Sequence, residues 1–251
     1  MNSKMKTLSM AVLGLVGFGA AGAAMAQCPA SLSPPWSAPL QLQGTVSSQP
    51  GGYDSTACRM RTALNQNSSP AAKAGVLDQT PANEQRYRAQ FIVDASGIGL
   101  TQANRAAIVF NVLGSTIAPG GYTNMVQTFL RGNGSAASLR FLVGDTTQPS
   151  SYQTVDVALP NQSGANRVEI DLVVAGGTGS MRYWVTDVAT ATSDGSPTGT
   201  VSNLNNTAWG GVDQAVLGLA GASSFWRSNF TNTNYVYFDQ FDSRRQTFIG
   251  N

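Results

Sequence analysis

Apolar residues recur at every second position in short runs along this chain, and turn-forming residues separate the runs. In Tyr87-Arg88-Ala89-Gln90-Phe91, Tyr87, Ala89 and Phe91 share one side and Arg88 and Gln90 the other. In Met181-Arg182-Tyr183-Trp184-Val185-Thr186, Met181, Tyr183 and Val185 turn toward a core, while Arg182, Trp184 and Thr186 turn outward. A period of two belongs to β-strands, whose successive side chains point to opposite faces of a sheet. The same reading predicts strands at Leu40–Val46, Cys58–Leu64, Arg86–Val93, Ala106–Leu113, Met125–Arg131, Ser138–Val143, Tyr152–Leu159, Arg167–Val174, Met181–Val188, Ala215–Leu219 and Tyr235–Phe241. Pro119-Gly120-Gly121, Gly132-Asn133-Gly134, Gly176-Gly177 and Gly210-Gly211 supply turns between them. Two polar stretches, Asn65 to Lys73 and Thr190 to Asn206, are expected to be loops. Many short strands with evenly spread turns and few helix formers predict an all-β sandwich of two antiparallel sheets.

The first residues break this pattern. Lys4 and Lys6 precede an uncharged apolar run, Leu8 to Ala24, which ends in Ala24-Met25-Ala26. That order is the signature of a cleaved secretion signal, so residues 1–26 are expected to be removed and the mature chain to start at Gln27. The run is shorter than the roughly 20 apolar residues that span a bilayer. No transmembrane segment is expected after cleavage. Residues 27–251 then form one domain, in the periplasm or outside the cell. Lys4 and Lys6 account for the formal charge of +2, so the mature chain is near neutral and carries no electrostatic footprint for nucleic acid. The two cysteines, Cys28 and Cys58, are expected to pair in an oxidising compartment. Such a bond stabilises by about 3–4 kcal/mol through loop-closure entropy.

Four segments resemble the laminin-G-like, concanavalin-A-like jelly-roll sandwiches of secreted bacterial proteins. Pro81-Ala82-Asn83-Glu84-Gln85-Arg86-Tyr87-Arg88-Ala89-Gln90-Phe91 is similar to an entry strand of that family. Arg167-Val168-Glu169-Ile170-Asp171-Leu172 resembles the strand before its mid-chain glycine turn. Met181 to Asp187 resembles the next hairpin strand, though Asp187 is followed by Val188 where the family often has glycine. Tyr235 to Arg245 resembles the closing strand. The resemblance implies a jelly roll. It leaves function open, because members of this fold class bind glycans, bind proteins or hydrolyse polysaccharides.

Candidate chemistry is narrowed mainly by an absence. The chain has no histidine, which removes Ser-His-Asp and Cys-His catalysis, His-based zinc sites and any imidazole proton shuttle. No cofactor or metal site is expected; Asp239 and Asp242 on the closing strand are read as hydrogen-bonding side chains in preference to calcium ligands. A glycosidase needs two carboxyl groups flanking the scissile bond. Glu169-Ile170-Asp171-Leu172-Val173-Val174 matches the first two positions of the Glu-Ile-Asp-x-x-Glu strand of laminarinase-type glucanases, which the resemblance brings to mind, but valines stand where the proton donor belongs. No catalytic residue is therefore assigned.

The reading that remains is a non-catalytic recognition module for a glycan or an extracellular partner. Its rivals are a glycosidase recruiting an acid from another strand, such as Glu84, and a structural envelope or matrix protein. The expected ligand-binding set is Trp184 and Arg182 on one strand with Glu169 and Asp171 on the strand before it. Hairpin pairing would place a stacking plane, donors and acceptors on one surface. Trp209, Trp226 and Tyr122 are lesser aromatic candidates.

Overall fold

The structure is a computed structural model that describes residues 28–29, 32, 36–94, 96–98, 105–228, 235–244 and 247–250. The expected leader, residues 1–26, and the expected mature start at Gln27 lie outside the described residues. In chain order the strands are β1 Ala38–Leu42, β2 Gly44–Pro50, β3 Cys58–Leu64, β4 Lys73–Asp78, β5 Arg86–Asp94, β6 Arg105–Ala118, β7 Tyr122–Gly132, β8 Ala137–Gly144, β9 Tyr152–Ala158, β10 Ala165–Val173, β11 Gly176–Asp187, β12 Gly199–Asn205, β13 Val212–Ala220 and β14 Val236–Arg244. They form two seven-stranded antiparallel sheets, ordered β1-β4-β13-β6-β7-β8-β9 and β12-β11-β10-β5-β14-β3-β2. In the second sheet the late strand β14 lies between β5 and β3. Helix is confined among the described residues to α1, Ser224–Arg227, and two short 3-10 turns. No described helix is long and apolar enough to cross a membrane.

The core fills the space between the sheets. Phe91 of β5 meets Phe110 of β6 at 5.0 Å between ring centroids, and Phe141 of β8 meets Tyr183 of β11 at 5.2 Å. Met181, Tyr183 and Val185 all join this core, as their alternation requires. Trp209 and Trp226 are also buried in it, so neither offers a surface for stacking. The disulfide Cys28–Cys58 is formed, with Cα atoms 5.6 Å apart, and it ties residue 28 to the start of β3.

Three departures from the strand pattern have local causes. The predicted single strand Leu40–Val46 breaks at Gln43, whose φ of 53° turns the chain from β1 in one sheet into β2 in the other. The stretch Thr190 to Asn206, expected to be a loop, contains the edge strand β12. Its inward residues, Val201 and Leu204, are three apart because Asn203 takes a φ of 61°, which erases the period of two. The strand β4 was hidden by its composition. It lies between β1 and β13, and Gly75 passes so close to β13 that a Cβ there would sit 2.4 Å from the Leu217 carbonyl oxygen. Three consecutive residues, Ala74, Gly75 and Val76, are all buried, which leaves the strand no alternation.

Candidate functional site

The second sheet turns one face to the core and the other away from it. Antiparallel register lines up the outer side chains in rows across the strands. Arg182 stands opposite Asp171, Asp171 opposite Arg88, and Arg88 opposite Arg244. In the next row are Trp184, Glu169, Gln90 and Asp242, then Thr186, Arg167, Ile92 and Asp239. A further row carries Asp94, Tyr237, Arg61 and Ser47. The sequence-expected set of Trp184, Arg182, Glu169 and Asp171 is thus brought together by the β10–β11 hairpin, in the pairing anticipated.

Its surroundings differ from the expectation. Trp184 and Glu169 are each 1 % exposed and Asp171 is 2 % exposed, although none of them belongs to the core between the sheets. Three segments roof this half of the face. Residues 51–57, between β2 and β3, reach Arg167 through Asp54, whose Oδ2 accepts from Nη2 at 2.7 Å. The connection from β11 to β12 supplies the Ser193 carbonyl, which accepts from Trp184 Nε1 at 3.0 Å, and the Asp194 carboxylate. Residues 247–250 form the third segment. Phe248 packs on Trp184 at 5.3 Å between centroids, and the amides of Ile249 and Gly250 donate to Glu169 at 3.1 and 3.2 Å. Trp184 therefore presents no stacking plane to solvent. Alternation shows which way a side chain points, and cannot show that distant segments return to cover it.

Beneath the roof the charges saturate one another. Asp171 accepts from Arg86 Nε and Nη2, both at 2.9 Å, from Arg88 Nη2 at 2.8 Å, and from Arg182 Nη2 at 2.7 Å. Arg88 and Arg182 both also donate to Asp194 Oδ1, at 2.8 and 3.0 Å. Burial alone would push the Asp171 carboxyl up. The hydrogen bonds from Arg86, Arg88 and Arg182 overcome that and hold it far below the usual carboxylate range. Glu169 goes the other way. Burial raises its pKa, and the two backbone amides and Arg88 only partly oppose the rise. A carboxylate held by three guanidinium groups and another capped by backbone amides do not make the acid–base pair of a glycosidase. Arg167, 1 % exposed, is the common tie. Besides Asp54 it reaches the Gly250 carbonyl from Nη1 at 3.1 Å and the Val188 carbonyl from Nη2 at 3.4 Å.

The other half of the face carries a feature that the sequence reading passed over. The Arg59 guanidinium lies 3.5 Å from the Tyr237 ring centroid, and that of Arg61 lies 4.3 Å from Tyr235. Arg59 Nη1 also donates to the Tyr53 hydroxyl at 2.7 Å, which in turn donates to Asp94. All of these except Asp94 are half-buried. Burial, with Asp94 beside it, pushes the Tyr53 phenol well above its ordinary pKa against the opposing pull of Arg59. The signal was available: Arg59-Met60-Arg61 and Tyr235-Val236-Tyr237 each repeat one residue type at a spacing of two on strands that pair. Asp239, at the border of the two halves, accepts from the Tyr53 amide at 2.7 Å and from the Thr56 hydroxyl. Asp242 accepts from Arg244 at 2.7 Å. A cavity of about 490 Å³ opens on the flank near Trp36 and Phe241, lined by Asp78, Asp239 and Asp242 together with Arg59.

No protein-family model matches the chain. No curated protein matches it in sequence. Solved structures do share its fold. An endo-β-1,4-glucuronan lyase from the fungus Trichoderma reesei superposes with a TM-score of 0.60 at 14 % identity, covering 88 % of this chain and 95 % of that one. An alginate lyase from Aplysia kurodai superposes with a TM-score of 0.54 at 14 % identity, covering 80 % and 87 %. At such identity the likeness establishes a jelly-roll-like β-sandwich.

Proposed function

We propose that this chain is an exported recognition module, a single domain over residues 27–251 with a laminin-G-like ancestry, that binds an anionic glycan along the outer face of its second sheet. The observation that carries the reading is the pair of stacked guanidinium groups, Arg59 on Tyr237 and Arg61 on Tyr235. A guanidinium held by the flat side of a tyrosine ring keeps its positive charge on this half of the face, where it attracts a carboxylate. Adjacent tyrosines and Gln49, which stands opposite Arg59, offer contacts for sugar hydroxyls. Two structures of like fold are named for glucuronan and alginate, polymers whose sugars carry carboxylates. That chemistry suits the two arginines of this patch.

Binding without turnover fits the titrating groups on the face. Burial and the neighbouring Asp94 favour the protonated form of the Tyr53 phenol. The disulfide fits an oxidising compartment. The test is retention on immobilised glucuronan, alginate and neutral β-glucan, with product release assayed in parallel. Retention on the charged polymers that falls with salt and is lost in an Arg59→Ala/Arg61→Ala variant supports the reading. Equal retention on neutral glucan, or steady release of unsaturated sugar, overturns it.

A further inference from the structure

The roof over Trp184 is not an ordinary part of the sandwich. Residues 247–250 follow β14 and pair with no strand. They lie on the sheet face as a bound peptide would. Glu169 accepts from the amides of Ile249 and Gly250, Arg167 donates to the Gly250 carbonyl, and Arg244 Nη1 donates to the Phe248 carbonyl at 3.1 Å. Phe248 stacks on Trp184 and stands 5.7 Å from the Arg88 guanidinium. Gly250 takes a φ of 68°, a backbone state that favours glycine, and this directs its carbonyl to Arg167.

The fit is incomplete in a telling way. Arg88 is 1 % exposed, yet its Nε and Nη1 have no hydrogen-bond partner among the described residues. Arg167 Nε and Gln90 Oε1 are likewise unpartnered and buried. Buried polar atoms are nearly always satisfied, and those that are not call for a specific explanation. Arg88 lies beside Phe248 and Arg167 beside Gly250, and three of these four unmet atoms are guanidinium nitrogens. The segment covers them with an aromatic ring and too few acceptors. The carboxylate of an acidic sugar would accept from Arg88 and Arg167, and its hydroxyls would donate to Gln90 Oε1 and to Glu169 in place of the two amides.

We propose that residues 247–250 are an internal competitor, a strap lying on a second subsite of the glycan face, which an anionic sugar chain displaces. The subsite floor is Arg88, Gln90, Arg167 and Glu169, with Trp184 as its wall. The subsite lies beside the patch of Arg59 and Arg61, because Tyr53, which Arg59 holds, is the neighbour of Asp54, which Arg167 holds. This rests on the proposed glycan reading.

The test uses the full chain and an oligoglucuronate of defined length. Phe248→Ala and Gly250→Ala each loosen the strap and should tighten binding by about tenfold. In the unaltered protein, hydrogen exchange at the amides of Ile249 and Gly250 should accelerate by about tenfold or more when the sugar saturates the site. Exchange on the unaltered chain decides the matter if either variant fails to fold. Unchanged affinity in both variants, or slower exchange at those amides on binding, overturns the strap while the glycan reading stands. Variants that bind tightly with no dependence on Arg59 and Arg61 overturn the patch and leave the strap. If neither the unaltered chain nor the variants bind the sugar, both fall.

Discussion

Arg167 and Glu169, two residues apart on β10, grip Gly250 from both ends. The guanidinium donates to its carbonyl oxygen at 3.1 Å and the carboxylate accepts from its amide at 3.2 Å. The same arginine holds Asp54 at 2.7 Å and reaches the Val188 carbonyl at 3.4 Å, so one buried charge fastens all three roof segments. Arg167→Met is therefore expected to loosen residues 51–57, 188–196 and 247–250 together. It should cost about 1–3 kcal/mol, the cost of leaving the Gly250 and Val188 carbonyls without their donor. Hydrogen exchange mapped by peptide checks the pattern. Loss of protection in only one of the three segments would show that Arg167 is not their common anchor.

Trp184→Ala should destabilise the fold despite the residue's position on the outer side of its sheet. The indole is 1 % exposed, donates to Ser193 and supports Phe248. Truncating a buried tryptophan costs about 3–5 kcal/mol. Urea unfolding followed by circular dichroism measures it. A melting temperature unchanged from that of the parent would return Trp184 to the solvent.

Asp171→Asn removes the one charge that three guanidinium groups share. It leaves Arg88 buried with only Asp194 and the more distant Glu169 to balance it. A loss of about 3–5 kcal/mol is expected. Arg86→Met should cost much less, because that side chain is 39 % exposed and Asp171 keeps two other partners. Comparable losses in the two variants would contradict the assignment of Asp171 as the hub.

The acid limb of stability should carry the mark of Asp145. Burial would raise its pKa, but hydrogen bonds from Gln153, from Thr147 and from the Asn205 amide bring the carboxyl down to about 2 from an ordinary value of 3.8. A carboxyl depressed in the folded state contributes stability that is whole above its unfolded pKa and disappears as pH falls through the folded one. Stability is thus expected to decline between about pH 4 and pH 2. Asp145→Asn should be less stable at neutral pH and show a shallower decline over that window. Parallel stability profiles for the two proteins would assign the acid sensitivity elsewhere.

Replacing both cysteines with serine removes the cross-link between residue 28 and β3. The expected cost is about 3–4 kcal/mol if loop-closure entropy dominates. Alkylation followed by mass spectrometry should modify Cys28 and Cys58 only after reduction.

Much of the fold was legible because its cause is local. The alternation in residues 87–91 and 181–186 reports which side of a strand meets the core, and both core assignments stand. β12 and β4 were not legible. A left-handed residue at Asn203 broke the period in one, and small residues between two neighbouring strands blanked it in the other. The grouping of Trp184, Arg182, Glu169 and Asp171 followed from hairpin pairing. Their burial did not, since it depends on Asp54 and Gly250, which lie far from β10 and β11 in sequence, and on how the connection after β11 folds back through Asp194. The Arg59 and Tyr237 stack spans two strands at opposite ends of the chain, so only their separate period-two repeats were visible.

The place of β14 also governs when the molecule can come into being. Residues 236–244 do not cap an edge; they are inserted between β5 and β3, and without them the second sheet is two fragments. A ribosome delivers this strand after the other thirteen described strands. Until it arrives, β5 and β3 each expose an unpaired edge, and the aromatic side chains of the inner layer lack the lid that Val236 and Phe238 provide. Non-local pairing of this kind makes folding slow and leaves the nascent chain open to aggregation. Completion is therefore a late, all-or-none event, and a chain interrupted before residue 236 should be cleared by proteolysis and not accumulate as a smaller folded form.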